Sequence, residues 1–231
     1  MAYAFVVSAS GQSTDQQVVT TSGVDTSAAN FIVIGSHFSD TFGSNNVPTD
    51  SNSNTWTLAV ANYSGDAFGM CIEVYYCVNP TVGGGHTFSI TSSGNFNRPS
   101  LSVLAFSGGG SSTVDIANGS HWSSFPTNTF TGSNGSRTPA GDNALVCSFF
   151  TTSNSDSPPA TTTDLAVQGP YGANNGNALG FGVDYTIQTT ASAVTVTWSE
   201  QWVNGDRNTV GFLAFSPGST PTGKRFFLIP N

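Results

Sequence analysis

Asn30-Phe-Ile-Val-Ile-Gly-Ser-His-Phe38 is an apolar run of strand length, and it returns in altered form as Asn143-Ala-Leu-Val-Cys-Ser-Phe-Phe150. Its β-branched and aromatic residues suit a pleated sheet with a buried face. No long window around either copy shows the 3.6-residue period of an amphipathic helix. Runs of the same kind recur at 5–9, 56–62, 70–78, 87–91, 101–106, 164–168, 181–188, 194–203 and 209–215, punctuated by Gly, Asn, Pro and Ser. Three further pairs repeat in the same order. Leu58-Ala-Val60 matches Leu165-Ala-Val167, Ile72-Glu-Val74 matches Val183-Asp-Tyr185, and Leu104-Ala-Phe-Ser107 recurs as Leu213-Ala-Phe-Ser216. The expected fold is therefore all-β: a single antiparallel β-sandwich, jelly-roll-like, over 1–216, built from two related halves at about 1–108 and 109–216. A spacing of this size is too long for solenoid repeats, whose period is ~20–50 residues. Within the second half, 194–203 and 207–215 flank Asn204-Gly205-Asp206, and Asn-Gly supplies the positive-φ positions of a tight turn, so a hairpin is expected there.

Composition agrees with this reading and excludes several functions. Of 231 residues, 81 are Ser, Thr or Asn, whereas Leu numbers 8, Glu 2 and Lys 1, so the chain lacks most of the residues that fill helices. The net charge is −8, and Arg98, Arg137, Arg207, Lys224 and Arg225 are scattered apart from the last pair. A phosphate backbone or an anionic bilayer requires clustered cations, so neither nucleic acid nor membrane is an expected partner. No apolar run approaches the ~20 residues of a membrane span. The opening residues, 1–11, have no basic region and are not expected to act as a signal peptide. Cys71 and Cys77 fall in one expected strand, roughly 20 Å apart when extended, too far for a disulfide. With Cys147 they read as reduced, buried thiols of a protein folded in a cytoplasm. After Ser216 the chain changes character: 217–223 is a stiffened linker, and Phe226-Phe227-Leu228-Ile229 is an apolar tail that either closes its own domain or docks on a neighbouring subunit.

Few side chains offer chemistry, and no cofactor is expected. Glu200 lies between Trp198 and Trp202 on one strand parity with Val194 and Val196, and Glu73 lies in the strand at 70–78. Two carboxylates flanking a cleft are the requirement of glycosidases. Trp122, Trp198 and Trp202 are candidate sugar-stacking platforms. Asp50-Ser-Asn52-Ser-Asn54 alternates oxygen ligands as a calcium loop does, but Thr55 and Ala61 replace its later Gly and Glu. A turn capped by Asx side chains is the preferred account of that segment, with a lone cation as the weaker one. His37, His86 and His121 have no ligand spacing and read as strand or loop residues. Asn62, Asn118 and Asn134 match the glycosylation pattern, as this composition does by chance.

Two resemblances bear on function. Glu73-Val-Tyr-Tyr76 and Ser199-Glu200-Gln201 are similar to the glutamate-bearing strands of the jelly-roll xylanases, which implies a catalytic pair. Pro48-Thr-Asp50-Ser-Asn-Ser-Asn54-Thr-Trp56-Thr-Leu-Ala59, with 72–76, 87–91 and 101–108, resembles a broad group of bacterial and phage β-sandwich domains. That second resemblance implies a virion or cell-surface setting and no catalytic residue. The leading expectation is a non-enzymatic phage structural protein, a capsid decoration protein or a tail or fibre component, assembled in the host cytoplasm. Its expected partners are other virion proteins or itself, as a homo-oligomer such as a trimer. A carbohydrate-binding module or lectin-like adhesin bound to a cell-surface glycan is the alternative, and the glycosidase ranks third.

Overall fold

Runs of Val, Ile and Phe interrupted by turn residues leave the chain one way to satisfy its backbone, by pairing strands. The computed structural model describes residues 2–13, 18–39, 46–63, 70–91, 99–123, 129–153, 160–161, 166–167, 179–201 and 207–217. Sixteen strands run through these residues. The first eight are β1 (Ala4–Gln12), β2 (Val18–Thr20), β3 (Phe31–Ser39), β4 (Thr49–Asp50), β5 (Thr57–Tyr63), β6 (Met70–Val78), β7 (Phe88–Thr91) and β8 (Ser100–Ser107). The next eight are β9 (Thr113–Ser123), β10 (Thr129–Ser133), β11 (Ala144–Ser153), β12 (Ala160–Thr161), β13 (Ala166–Val167), β14 (Leu179–Gln188), β15 (Thr197–Gln201) and β16 (Arg207–Ser216).

All pairings are antiparallel, and the fold is the all-β sandwich type that the strand pattern predicts. The first half forms an inner sheet, β1-β8-β3-β6-β5, and an outer sheet, β2-β7-β4. The second half forms an inner sheet, β13-β14-β11-β16-β9, and an outer sheet, β10-β15-β12. Adding eight to each strand number of the first half gives the second, so the two halves share one strand order. The isolated bridges Val24–His86 and Arg137–Val194 repeat the same relation outside the strands. The described residues of the four sequence pairs fall in or at the start of β3 and β11, β5 and β13, β6 and β14, and β8 and β16, Leu165 lying outside the described residues.

The two inner sheets meet face to face, so the layers run outer, inner, inner, outer. Phe31, Val33, Ile72, Val74 and Phe106 pack there against Leu145, Cys147, Phe149, Val183 and Phe215. Residues of opposite parity point the other way. Ile32, Ile34 and Tyr75 meet Phe88 and Ile90 inside the first half, and Val146, Phe150 and Phe212 meet Val196 and Trp198 inside the second. Strands buried on both faces read as continuous apolar runs rather than as alternation, which accounts for Phe31-Ile-Val-Ile34. Phe31, Phe106, Phe149 and Phe215 are fully buried in the shared interface. At roughly 1.5–3 kcal/mol each they are comparable with the net stability of a whole domain, so the halves form one unit. The inner sheets are laid in opposite senses. Phe5 of β1 stacks on Tyr185 of β14, 5.3 Å between ring centroids, while at the far end Asn62 of β5 donates to the Ser120 carbonyl of β9 at 2.7 Å.

Close approach at the centre of this interface requires a glycine. A Cβ on Gly35 would collide with the Phe149 ring. Gly35→Ala, which elsewhere in a strand would be mildly favourable, is expected here to cost about 1–3 kcal/mol, because overpacking forces neighbouring side chains off their rotamers. A urea denaturation midpoint no lower than that of the parent chain would contradict this.

The expected hairpin does not form. The segment 202–206 lies outside the described residues, but its flanking strands belong to different sheets: β15 pairs with β10 and β12, and β16 pairs with β11 and β9. The reason is burial. Val210, Phe212 and Ala214 serve one core, and Leu213 and Phe215 the other. A strand so placed sits inside its sheet with both edges taken, leaving no edge for β15. The three cysteines are buried and unbridged. Burial pushes the Cys147 thiol far up, with Asp184 adding to the effect, so it is no nucleophile.

Candidate functional site

The densest polar arrangement among the described residues surrounds Asp50, at the end of β4. Its neighbours curl back on it: the Ser53 N–H donates to the Asp50 carbonyl at 3.2 Å, with Ser53 in the left-handed region at φ 59°. Asp50 Oδ1 accepts from the Asn52 N–H at 2.8 Å, Asn54 Nδ2 at 3.0 Å and His86 Nε2 at 3.0 Å. Oδ2 accepts from the Asn54 N–H at 3.1 Å and Trp56 Nε1 at 3.0 Å. Asn52 and Asn54 turn their amides to Thr81: both Nδ2 groups donate to its carbonyl, and Asn54 Oδ1 accepts its N–H. Every Asp50 contact is therefore with a donor, which is the Asx-capped turn expected from the sequence. A cation would have to displace those donors. Among the described residues no group of three or more His, Cys, Asp or Glu is placed to hold a metal.

His86 continues the network, its Nδ1 lying 2.9 Å from Thr26 Oγ1. Carboxylate, imidazole and hydroxyl in line are the parts of a nucleophilic relay. Here the hydroxyl is sealed: Thr26 is 0% exposed, and its Oγ1 bonds both the carbonyl and the N–H of Gly83. No scissile carbonyl can reach it. The arrangement acts as a clasp joining the Asp50 turn, Trp56, the 81–86 loop and the segment before β3. The sequence offered no spacing signal for it, because Asp50 and His86 lie on separate elements 36 residues apart.

The glutamates are not brought together. Glu73 is 0% exposed inside the first half, where Oε1 accepts from the Tyr63 hydroxyl at 2.7 Å and Oε2 from the Tyr75 hydroxyl and the Asn46 N–H, both at 2.9 Å. Burial, with the nearby Glu73 charge, pushes the Tyr75 phenol far up and keeps it a donor. Glu200 lies in β15 opposite Phe130, in the second outer sheet, with both inner sheets between it and Glu73. The two carboxylates flank no common cleft, so they do not form the pair a glycosidase requires. The position matching Glu73 in the second half, Asp184, is also fully buried.

Trp198 is no sugar platform. It is 1% exposed, stacks on Phe150 at 5.3 Å and 12°, and donates its indole N–H to Ser148 Oγ at 2.8 Å. The face it shares with Val196 is the inward one. Trp198→Phe is expected to cost about 1–2 kcal/mol, through the lost hydrogen bond and reduced packing; thermal melting within error of the parent would count against this assignment. Trp122 falls in β9 and pairs with Asn208, its side chain lying outside the description. Trp202 and the tail Phe226, Phe227, Leu228 and Ile229 lie outside the described residues. Two of the glycosylation matches point inward: Asn134 is buried, and Asn62 Nδ2 also donates to the Val210 carbonyl at 3.3 Å.

His37, read in the sequence as a strand or loop residue, lies in β3. It is 0% exposed in the interface between the halves, stacked on Phe181 at 4.9 Å, with Nε2 3.2 Å from Ser102 Oγ. Comparison with protein-family models, with curated proteins and with solved structures returns no match.

Proposed function

We propose that this chain is a non-enzymatic structural protein of a bacteriophage particle, a capsid decoration protein or a tail or fibre component, working as a homo-oligomer. The observation that carries the reading is the direction in which its side chains point. Asp50, Glu73, His37 and His86 are turned inward onto structural partners. Among the described residues, the outer face of β2-β7-β4 instead presents Thr20, Thr49 and Thr91, with Val18 and Val47, and no charge. Such a face docks on a neighbour without the penalty of desolvating ions. Jelly-roll sandwiches recur in viral capsids, an analogy of fold alone, and the likeness of 48–59 to phage and bacterial surface domains points the same way.

The test is to purify particles from a producing culture and probe them with an antibody to this chain. The expected result is stoichiometric incorporation, with immunogold over the head for decoration or over the tail for a fibre component. Abundant chain in the lysate with none on washed particles would overturn the reading.

A further inference from the structure

We propose that the run Lys224-Arg-Phe-Phe-Leu-Ile229 docks on the body of its own chain, at the seam between Val114 of β9 and Tyr76 of β6, supplying an aromatic ring where the second half has none. The sandwich has two such seams, equivalent by the internal repeat. In the first, Phe5 pairs with Phe106 across β1 and β8, and the ladder slips past Val6 before resuming at Val7 opposite Ala105. In the second, Val114 pairs with Phe215 across β9 and β16, and the ladder slips past Asp115 before resuming at Ile116 opposite Ala214. Phe5-Val6 and Val114-Asp115 therefore hold the same places. The rings they meet match too. Tyr185 lies opposite Cys147, itself opposite Leu213, and Tyr76 lies opposite Val33, itself opposite Leu104.

The seams differ in what covers the tyrosine. Phe5 stacks on Tyr185 at 5.3 Å and 16°, Phe106 meets the same ring edge-on at 5.1 Å, and Tyr185 is left 7% exposed. Tyr76 keeps the counterpart of Phe106, Phe215 at 5.5 Å, but Val114 has no ring to stack, and Tyr76 stays half-buried. Val114 and the carboxylate of Asp115 beside it are half-buried as well. Valine in place of phenylalanine and aspartate in place of valine leave an apolar ledge with a negative rim. Its complement is an aromatic residue next to a cation.

Arg225-Phe226 is that combination, and the chain delivers it. Residues 218–231 lie outside the described residues, but their root is fixed. Ser216 pairs with Thr113, the neighbour of Val114, and its carbonyl accepts from the Tyr3 hydroxyl at 3.4 Å. One strand spacing and one residue step put Val114 within about 10 Å of that root. Residues 217–223 can span about 23 Å, enough to turn and return. Charge points to the same place. The run 218–231 carries Lys224 and Arg225 and no acid, whereas the first 217 residues carry the other three cations against 13 carboxylates, a balance of −10. A neighbour's tail has the same chemistry, but a short linker holds the chain's own tail at an effective concentration of order millimolar. No particle is required for this contact, so it stands apart from the virion reading.

The experiment is hydrogen exchange on the full chain at two concentrations, beside Val114→Phe and a double variant carrying Lys224→Glu and Arg225→Glu. In the parent, the amides of 226–229 are expected to exchange about tenfold or more slower than in an unstructured chain, equally at both concentrations. Val114→Phe sets the first half's ring on Tyr76, so it is expected to abolish that protection while melting no lower than the parent. The charge reversal is expected to cut it about fivefold. Unprotected amides in the parent overturn the proposal. Protection that rises with concentration also overturns it, since the run would then sit on another copy. Protection unchanged in a folded Val114→Phe chain refutes the seam as the docking place. Should Val114→Phe not fold, the charge-reversed chain decides, because its changes lie in the tail itself. Reduced protection there supports docking beside Asp115, and unchanged protection refutes it.

Discussion

Asp50→Ala is expected to lower the unfolding free energy by about 4 kcal/mol. Asp50 accepts five hydrogen bonds, and its side chain and that of His86 are both 0% exposed. Hydrogen bonds to a charged group contribute roughly 1.5–3 kcal/mol each, and a buried donor stripped of its acceptor adds its desolvation cost. Alanine would leave the Trp56 indole, the His86 imidazole and two turn amides without that acceptor at once. Removing one partner of a buried pair costs about 3–5 kcal/mol in general, and this carboxylate is shared more widely than a pair. Asp50→Asn keeps the shape but turns an amide into a site that five donors approach, so it should recover only part of the loss. Chemical denaturation of the three proteins side by side is the measurement. A cost below about 1 kcal/mol for alanine would mean that water replaces the carboxylate and that the clasp is not structural.

The fold was largely legible because strands announce themselves by composition and by the residues that interrupt them. Phe31-Ile-Val-Ile34 and its later counterpart mark strands without ambiguity, and the order of the four repeated segments follows the order of equivalent strands. What could not be read was which edge meets which. The Asn204-Gly205 signal is local, whereas the place of β16 is set by Phe212 and Phe215 serving cores on opposite faces, a property of the stacked layers. Trp198 shows the same limit at one residue. Alternation correctly groups Val194, Val196 and Trp198, yet nothing in the period says whether that group faces a cleft or the interior. Buried acids are the extreme case. Glu73 is indistinguishable in sequence from a surface glutamate, whereas in the fold Tyr63, Tyr75 and the Asn46 amide, gathered from three segments, help make its burial tolerable. The Asp50 turn was readable because its ligands are its own neighbours; His86, arriving from the 81–86 loop, was not.

Acid is expected to loosen the interface between the halves through His37, with a slope that a single substitution removes. Burial drives this imidazole from 6.5 down to about 3. The folded state therefore holds it neutral, whereas the unfolded chain protonates it below about pH 6.5. Between these values the unfolded state binds the extra proton, so stability rises with pH. It follows that the contribution is fully present above pH 6.5 and is lost as pH falls toward 3. One proton corresponds to about 1.4 kcal/mol per pH unit, or about 5 kcal/mol over the whole interval. His37 contacts Phe181, Phe149 and Ser102, and burial is the one cause of its shift, so no carboxylate partner offsets the effect. His37→Phe keeps a ring between Phe149 and Phe181 and removes the proton site. Ser102 Oγ retains the Gly35 carbonyl as an acceptor, at 3.5 Å. Urea titrations at several pH values between 7 and 4 should show the parent losing stability more steeply than the variant, the difference growing by about 1.4 kcal/mol per unit below pH 6. Parallel curves would place the acid sensitivity elsewhere, on the buried carboxylates of the two halves, and would remove His37 from the account of how they stay together.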